Sequence, residues 1–228
     1  MRTNLTIVLQ KRAMSELLRF TNFLKDRQYA IDDLDEFAEI IEPKTDPDGW
    51  QGYRLKPLER TDKITQRCKV LVYYTWHCRD YVKKILSEVG IASDPGEIVN
   101  TYIRASGQIQ VIAYLANEYK HAGVDVSQRW GTDIEPRYGR PFVRGVLESF
   151  PYRYKPTIQL WGDSIPDFHF SGWAGIGESV YSFEDFTWTF SCNIENKHGV
   201  VIGHASAMCE SAFQTWLRIL ADNGIQLD

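Results

Sequence analysis

The feature that most constrains this chain is a change of period near residue 123. Before it, apolar and aromatic residues recur every three or four positions. In residues 63–89 the recurring set is Val70, Tyr73, Tyr74, His77, Tyr81, Ile85 and Val89. In 97–121 it is Val99, Tyr102, Ile103, Ile109, Ile112, Leu115 and Tyr119. Such spacing puts one stripe on a helix. After residue 123 the runs are short, β-branched or aromatic, and partly alternating: TIQLW (157–161), SVYSF (179–183), FTWTFSCNI (186–194) and VVIGHA (200–205). These read as strands. A last helical period, Met208, Ala212, Phe213, Trp216 and Leu220, fills 206–223 and meets Gly224.

Local punctuation divides the rest. Residues 7–42 read as a helix through Leu9, Ala13, Leu17, Phe20, Phe23 and Leu24, stopped by Pro43. Residues 44–62, rich in Pro, Gly and Asp, read as a long loop. Asp62 is placed to cap the next helix, and Gly90 to end it. SDPGE (93–97) puts a capping residue and a proline before the third helix, and Gly123 stands where a C-terminal cap belongs. Residues 124–156 show little period and read as irregular, and ENKHG (195–199) reads as a hairpin turn. The expected fold is α+β: a bundle of three N-terminal helices and one C-terminal helix, with an inserted small antiparallel β-sheet. The chain divides into a bundle (1–123), a strand-rich insertion (124–205) and a returning helix (206–228).

Totals exclude some classes. A net charge of −4 argues against coating nucleic acid by bulk electrostatics but leaves room for a local basic groove. Residues 1–123 carry 18 basic and 17 acidic residues and 124–228 carry 8 and 13, so the acidic excess lies in the second part. The four cysteines form no C-x-x-C pair, which argues against a zinc knuckle and fits free thiols. No apolar run approaches the roughly 20 residues that span a bilayer, and the N-terminal one is too short for a secretory signal. A cytoplasmic protein with no cofactor, no metal and no membrane partner is expected.

The best lead is LANEYKHAG, residues 115–123. On a helix, Asn117 and His121 share a face, with Lys120 beside them. The macrodipole favours a cation in the last turn. An amide, an ammonium and an imidazole suit phosphodiester chemistry: His121 as acid or base, Asn117 and Lys120 holding phosphate. Cations at a helix end also simply satisfy its free carbonyls, and an Asn–His pair also ties helices together.

The stretch from 63 to 123, ending in ANEYKH, resembles the HEPN superfamily. Asn117 and His121 fall on the Asn and His of its Arg-Asn-x-x-x-His motif, and Ala116 stands at the Arg position. The resemblance implies a helical bundle, a homodimer, and a metal-independent endoribonuclease of toxin–antitoxin or anti-phage defence. Its partners would be RNA and a protein of the same system. The strand region and closing helix resemble uncharacterised bacterial HEPN-like proteins.

RWGTDIEPRYGRPFVRG (129–145) sets Arg129, Arg137, Arg140 and Arg144 among Trp130, Tyr138 and Phe142, a pattern that can grip phosphates and stack bases. The same arginines can instead order a loop by pairing with Asp133, Glu135 and Glu148. GWAGIGES (172–179) lacks a P-loop lysine and reads as a turn. His77, on the second helix, could meet His121 across the bundle or sit hydrogen-bonded in the core. His169, His198 and His204 show no ligand pattern. A second functional reading is a non-catalytic interaction protein that offers its bundle or aromatic sheet to a protein partner, favoured by Ala116 and the acidic second part.

Overall fold

The computed structural model describes residues 15–16, 18–25, 41–45, 51–55, 61–90, 94–121, 134–147, 155, 157–161 and 186–225. Residues 41–45, 51–55, 61–62, 119–121, 158, 160–161 and 188 are described by backbone alone. The fold is α+β. Helical residues 18–25 (α1) come first. Strands Ile41–Thr45 (β1) and Gln51–Leu55 (β2) follow, then helices Thr61–Val89 (α2), Pro95–Ala105 (α3) and Gly107–His121 (α4). Strands Arg137–Val146 (β3), Thr157–Trp161 (β4), Thr187–Glu195 (β5) and Val201–His204 (β6) lead into the final helix, Ala205–Asp222 (α5).

Three expectations change. The first helix does not run to 42, because β1 and β2 pair antiparallel with Pro43 opposite Tyr53. Pro43 is tolerated there because each strand of a two-stranded ribbon has an outer edge. The third helix is two. Ser106 takes an extended conformation (φ −126°, ψ 107°), and its Oγ accepts from Ile109 N at 3.3 Å while Gln110 bonds back to Ile103 and Arg104. A serine before a glycine thus ends α3 and caps α4. The stretch read as irregular contains β3, the longest described strand, and β3 is central in the sheet order β4-β3-β5-β6. SVYSF (179–183) lies outside the described residues.

Other signals hold. Asp94 caps α3 by accepting from Glu97 N at 3.0 Å, with Pro95 at its first position. Gly90 and Gly224 adopt φ of +70° and +77° just past their helices, a region open to glycine. The hairpin turn forms at 196–200, where Asn196 Oδ1 accepts from His198 N (2.9 Å) and Val200 N (3.0 Å). Of the stripes expected on α3, α4 and α5, Val99, Ile103, Ile109, Ile112, Leu115, Met208, Ala212, Trp216 and Leu220 are buried and Tyr102 and Phe213 half-buried, while the Tyr119 side chain lies outside the described residues.

On α2 the deepest face is a different one. Ile64, Cys68, Leu71, Val72, Trp76, Val82, Ile85 and Leu86 are buried, while Tyr73, Tyr74, His77 and Tyr81 are only half-buried. The reason is that α2 packs against α3, α4, α5 and the sheet together. Trp216 of α5 donates to Thr75 O at 2.9 Å and meets Trp76 edge-on at 6.4 Å. Cys68, Cys192 and Cys209 bring α2, β5 and α5 into one core. The bond to Cys192, with burial, pushes the Cys68 thiol well up. All four cysteines are free and buried.

The sheet lays alternate residues toward this core. Val143 pairs with Phe190, Pro141 with Cys192, and Tyr138 with Ile194. Between Tyr138 and Pro141 a bulge adds a residue to β3, which lets both Tyr138 and Val143 face the helices. The Met208 side chain of α5 packs over Gly203 of β6, its Sδ 2.8 Å from where a Cβ would stand.

Candidate functional site

The end of α4 is described only in part. Asn117 is half-buried and Glu118 exposed, while the side chains of Lys120 and His121 lie outside the described residues. The backbone is helical through His121, so Asn117 and His121 do lie on one helix, four residues apart. Ala116 is 1% exposed. The position where the HEPN motif carries Arg therefore faces the core, where a guanidinium would have to be desolvated.

Glu118 lies near enough to Tyr138 to act on its phenol, which burial raises well above the usual range. Lys69 of α2 sits over the same ring at 5.8 Å. The α4 end thus faces the beginning of α2. His77, eight residues beyond Lys69, is about 12 Å further along the axis. The side chain of His121, the partner expected for it, lies outside the described residues.

His77 has its own setting on a half-exposed face of α2. Its Nδ1 lies 3.1 Å from Asp80 Oδ2, and its ring packs on Tyr73 at 4.2 Å. Arg79 donates to Asp80 at 3.0 Å and stacks over Trp76 at 3.9 Å. Burial alone would raise Asp80, but the His77 bond and the Arg79 charge outweigh it and lower its pKa. Burial, with Arg79 nearby, lowers Lys83. The sequence signal was His-x-x-Asp, a spacing that puts both on one helix face.

The loop arginines separate. Arg129 lies outside the described residues. Arg137 closes the β5–β6 turn, donating from Nε to Asn196 O at 3.2 Å and from Nη2 to Lys197 O. Arg140 stands half-buried in the bulge, and Arg144 is exposed. The two interleaved aromatics that are described offer no stacking face. Tyr138 turns inward, and Phe142 is 4% exposed, packed edge-on against His204 at 5.0 Å. Trp130 is outside the described residues.

The side of the sheet turned away from the helices gathers several polar residues, part of them buried and part exposed. Phe142 pairs with Ser191 and Arg144 with Thr189, one step out of phase with the core-facing pairs. Asn193 lies on the same side, opposite His204 of β6. Ser191 and Asn193 are buried at 2% and 6% exposure, unlike most polar residues of the fold. Ser191 Oγ accepts from Ser206 N (3.1 Å) and meets Ser206 Oγ at 2.9 Å, so a strand residue caps α5. His204, the N-cap residue itself, makes no capping bond and is exposed. Asn193 Oδ1 is buried without a hydrogen-bond partner.

Sequence reasoning missed this group. Its signals were His204 and Ser206 at a strand-to-helix junction and two polar residues, Ser191 and Asn193, in alternation within an otherwise apolar strand.

Among the described residues, no helix is long and apolar enough to cross a membrane, and no group of three or more His, Cys, Asp or Glu is placed to hold a metal ion. No family model, curated protein or solved structure matches the chain.

Proposed function

We propose that this protein binds nucleic acid, RNA in the HEPN-like reading, by phosphate contacts on the outer face of its sheet. One observation carries the reading: Arg144 of the central strand is exposed on the side of the sheet away from the helices, the side that also carries exposed His204 at the start of α5. Cations and a helix N-terminus on one surface favour phosphate oxygens. With Tyr138 packed against the core and Phe142 buried, the contacts are to the backbone and carry little sequence preference. Binding ranks ahead of cleavage because the Arg position of the motif is a core alanine. His121, Asn117 and Lys120 would supply any cleavage, acting in a homodimer as part of a defence system.

The test is fluorescence anisotropy with a labelled single-stranded RNA, for the intact chain and for Arg144→Ala, with a parallel cleavage assay on His121→Ala and no added metal. Binding weakened in Arg144→Ala supports the outer face. Cleavage lost in His121→Ala would add catalysis at α4. Absence of binding at low salt rejects the proposal.

A second reading is a protein-binding scaffold. Val200 (58% exposed), Val201 (47%) and Ile134 (37%) lie close together at the β5–β6 turn, where Lys197 N donates to Ile134 O at 3.3 Å. Val201→Asp would abolish capture of such a partner and leave RNA binding intact.

A further inference from the structure

Three of the four cysteines converge although they come from separate elements. Cys68 stands in the second turn of α2, Cys192 in the second half of β5 and Cys209 near the start of α5. Each is 0% exposed, and all three share one core. The Cys68 thiol is hydrogen-bonded to Cys192, and Cys209 is near enough to act on it electrostatically. Cys78 is different: its thiol donates to Tyr74 O at 3.4 Å, one turn back on its own helix. A single buried thiol is a small apolar side chain and needs no use beyond packing. Packing does not require two thiols from distant parts of the chain to meet sulfur to sulfur.

Tyr138 of β3 stands over the group. Its phenol lies within electrostatic reach of Cys209, Cys192 and Cys68. Its hydroxyl is sealed from water without a hydrogen-bond partner, yet the residue as a whole is half-exposed, with Lys69 of α2 5.8 Å from the ring centre. The side chain thus reaches from the thiols to the surface. Swinging it outward breaks no hydrogen bond and gives the hydroxyl a water partner. While it stays in place, the Cys192 bond and burial keep the proton on Cys68. A protonated thiol is a poor nucleophile, so the closed pair is protected.

We propose that Cys68 and Cys192 form a redox-switchable pair, covered by Tyr138, that a peroxide converts to a disulfide joining α2 to β5. One of the two sulfurs, as thiolate, attacks a peroxide oxygen. The O–O bond breaks, a sulfenic acid forms, and the departing hydroxide takes up a proton as water. The second thiol attacks the sulfenic sulfur, the S–S bond forms, and the sulfenic hydroxyl leaves with the thiol proton as a second water. Two thiols lose two electrons and two protons, and hydrogen peroxide takes up both. The inference stands apart from RNA binding, since Cys192 faces the helices and Arg144 the other side of the sheet.

The experiment exposes the reduced full chain to hydrogen peroxide under native conditions, blocks remaining thiols by alkylation, and maps the peptides by mass spectrometry without reduction. A Cys68–Cys192 peptide two hydrogens lighter than its free parts is expected, restored to thiols by a reductant and absent in Cys68→Ala and in Cys192→Ala. Its formation should speed up with rising pH, several-fold in Tyr138→Ala and little in Tyr138→Phe. Alkylation of Cys78 in the same samples reports general opening of the core and should not speed up with it. The oxidised chain should unfold at a higher denaturant concentration than the reduced one, a gain that the reductant removes. Cys68 and Cys192 recovered as free thiols after Cys78 has reacted would overturn the pair. Bonds joining other cysteines, or a Cys68–Cys192 bond that forms no faster than Cys78 is alkylated in every variant, would overturn it too.

Discussion

On β5, Phe190, Cys192 and Ile194 point toward the helices, and Ser191 and Asn193, each one residue out of step, point the other way. The inner set joins Trp76, Trp216 and Cys68 in one continuous apolar core. The outer set includes a buried amide oxygen without a donor, a serine that caps a neighbouring helix, and an exposed arginine and histidine nearby. Both faces come from the same strands and the same alternation. Both faces are packed, since Phe142, Ser191 and Asn193 are buried too, but only the inner face is apolar throughout the strand. Buried polar atoms without a hydrogen-bond partner occur on both sides of the sheet, Thr75 Oγ1 and Tyr138 Oη toward the helices and Asn193 Oδ1 on the other side.

Substitutions on the two faces should therefore behave oppositely. The largest effect is expected on the inner side. Trp216→Ala removes a fully buried ring and its bond to Thr75 O. Chemical denaturation should show a loss of about 3–5 kcal/mol. A loss below about 1 kcal/mol would break the contrast at its inner end. On the outer side, Asn193→Val should be neutral or should stabilise by about 1 kcal/mol, because it removes an unpaired polar atom and fits a strand. A strong destabilisation would instead make Asn193 an ordinary part of the core.

Arg144→Ala should change stability by less than about 0.5 kcal/mol, as an exposed side chain. It should weaken RNA binding and reduce the salt slope of log K by about 0.7–1, the signature of one phosphate contact. The smallest effect is expected away from both faces, at Asp80. Its carboxyl is lowered in the folded state, so its contribution is present above the unfolded value near 3.9 and lost as pH falls through the folded one. Its side chain is 49% exposed, and solvent screening keeps the effect small. Asp80→Asn should leave stability at pH 7 within about 0.5 kcal/mol and slightly flatten its decline below pH ~4, measured by denaturation across pH.

Much of the helical frame was legible in the sequence because long amphipathic periods and caps are local signals. Asp94 before Pro95, Gly90 and Gly224 each act within a turn. The break at Ser106 was missed because the apolar stripe continues across it, and the capping serine was read as one more helical residue. β3 was missed because Gly139, Pro141 and Gly145 interrupt its pattern, while a bulge shifts its alternation. Its membership in the sheet is decided by pairing with β5, some fifty residues away. The outer-face group was invisible for the same reason: Ser191, Asn193 and His204 come together only through strand register. At the α4 end, the motif spacing was readable, but the core position of Ala116 depends on how the helix packs.

The most direct test of the outer-face account is photocrosslinking of single-stranded RNA carrying 4-thiouridine, with the attachment points mapped by mass spectrometry. The account expects crosslinks at Arg144, His204 and their neighbours on β3 and β6, lost in competition with unlabelled RNA. Crosslinks confined to α1, α2 or α3, or none at low salt, would contradict it.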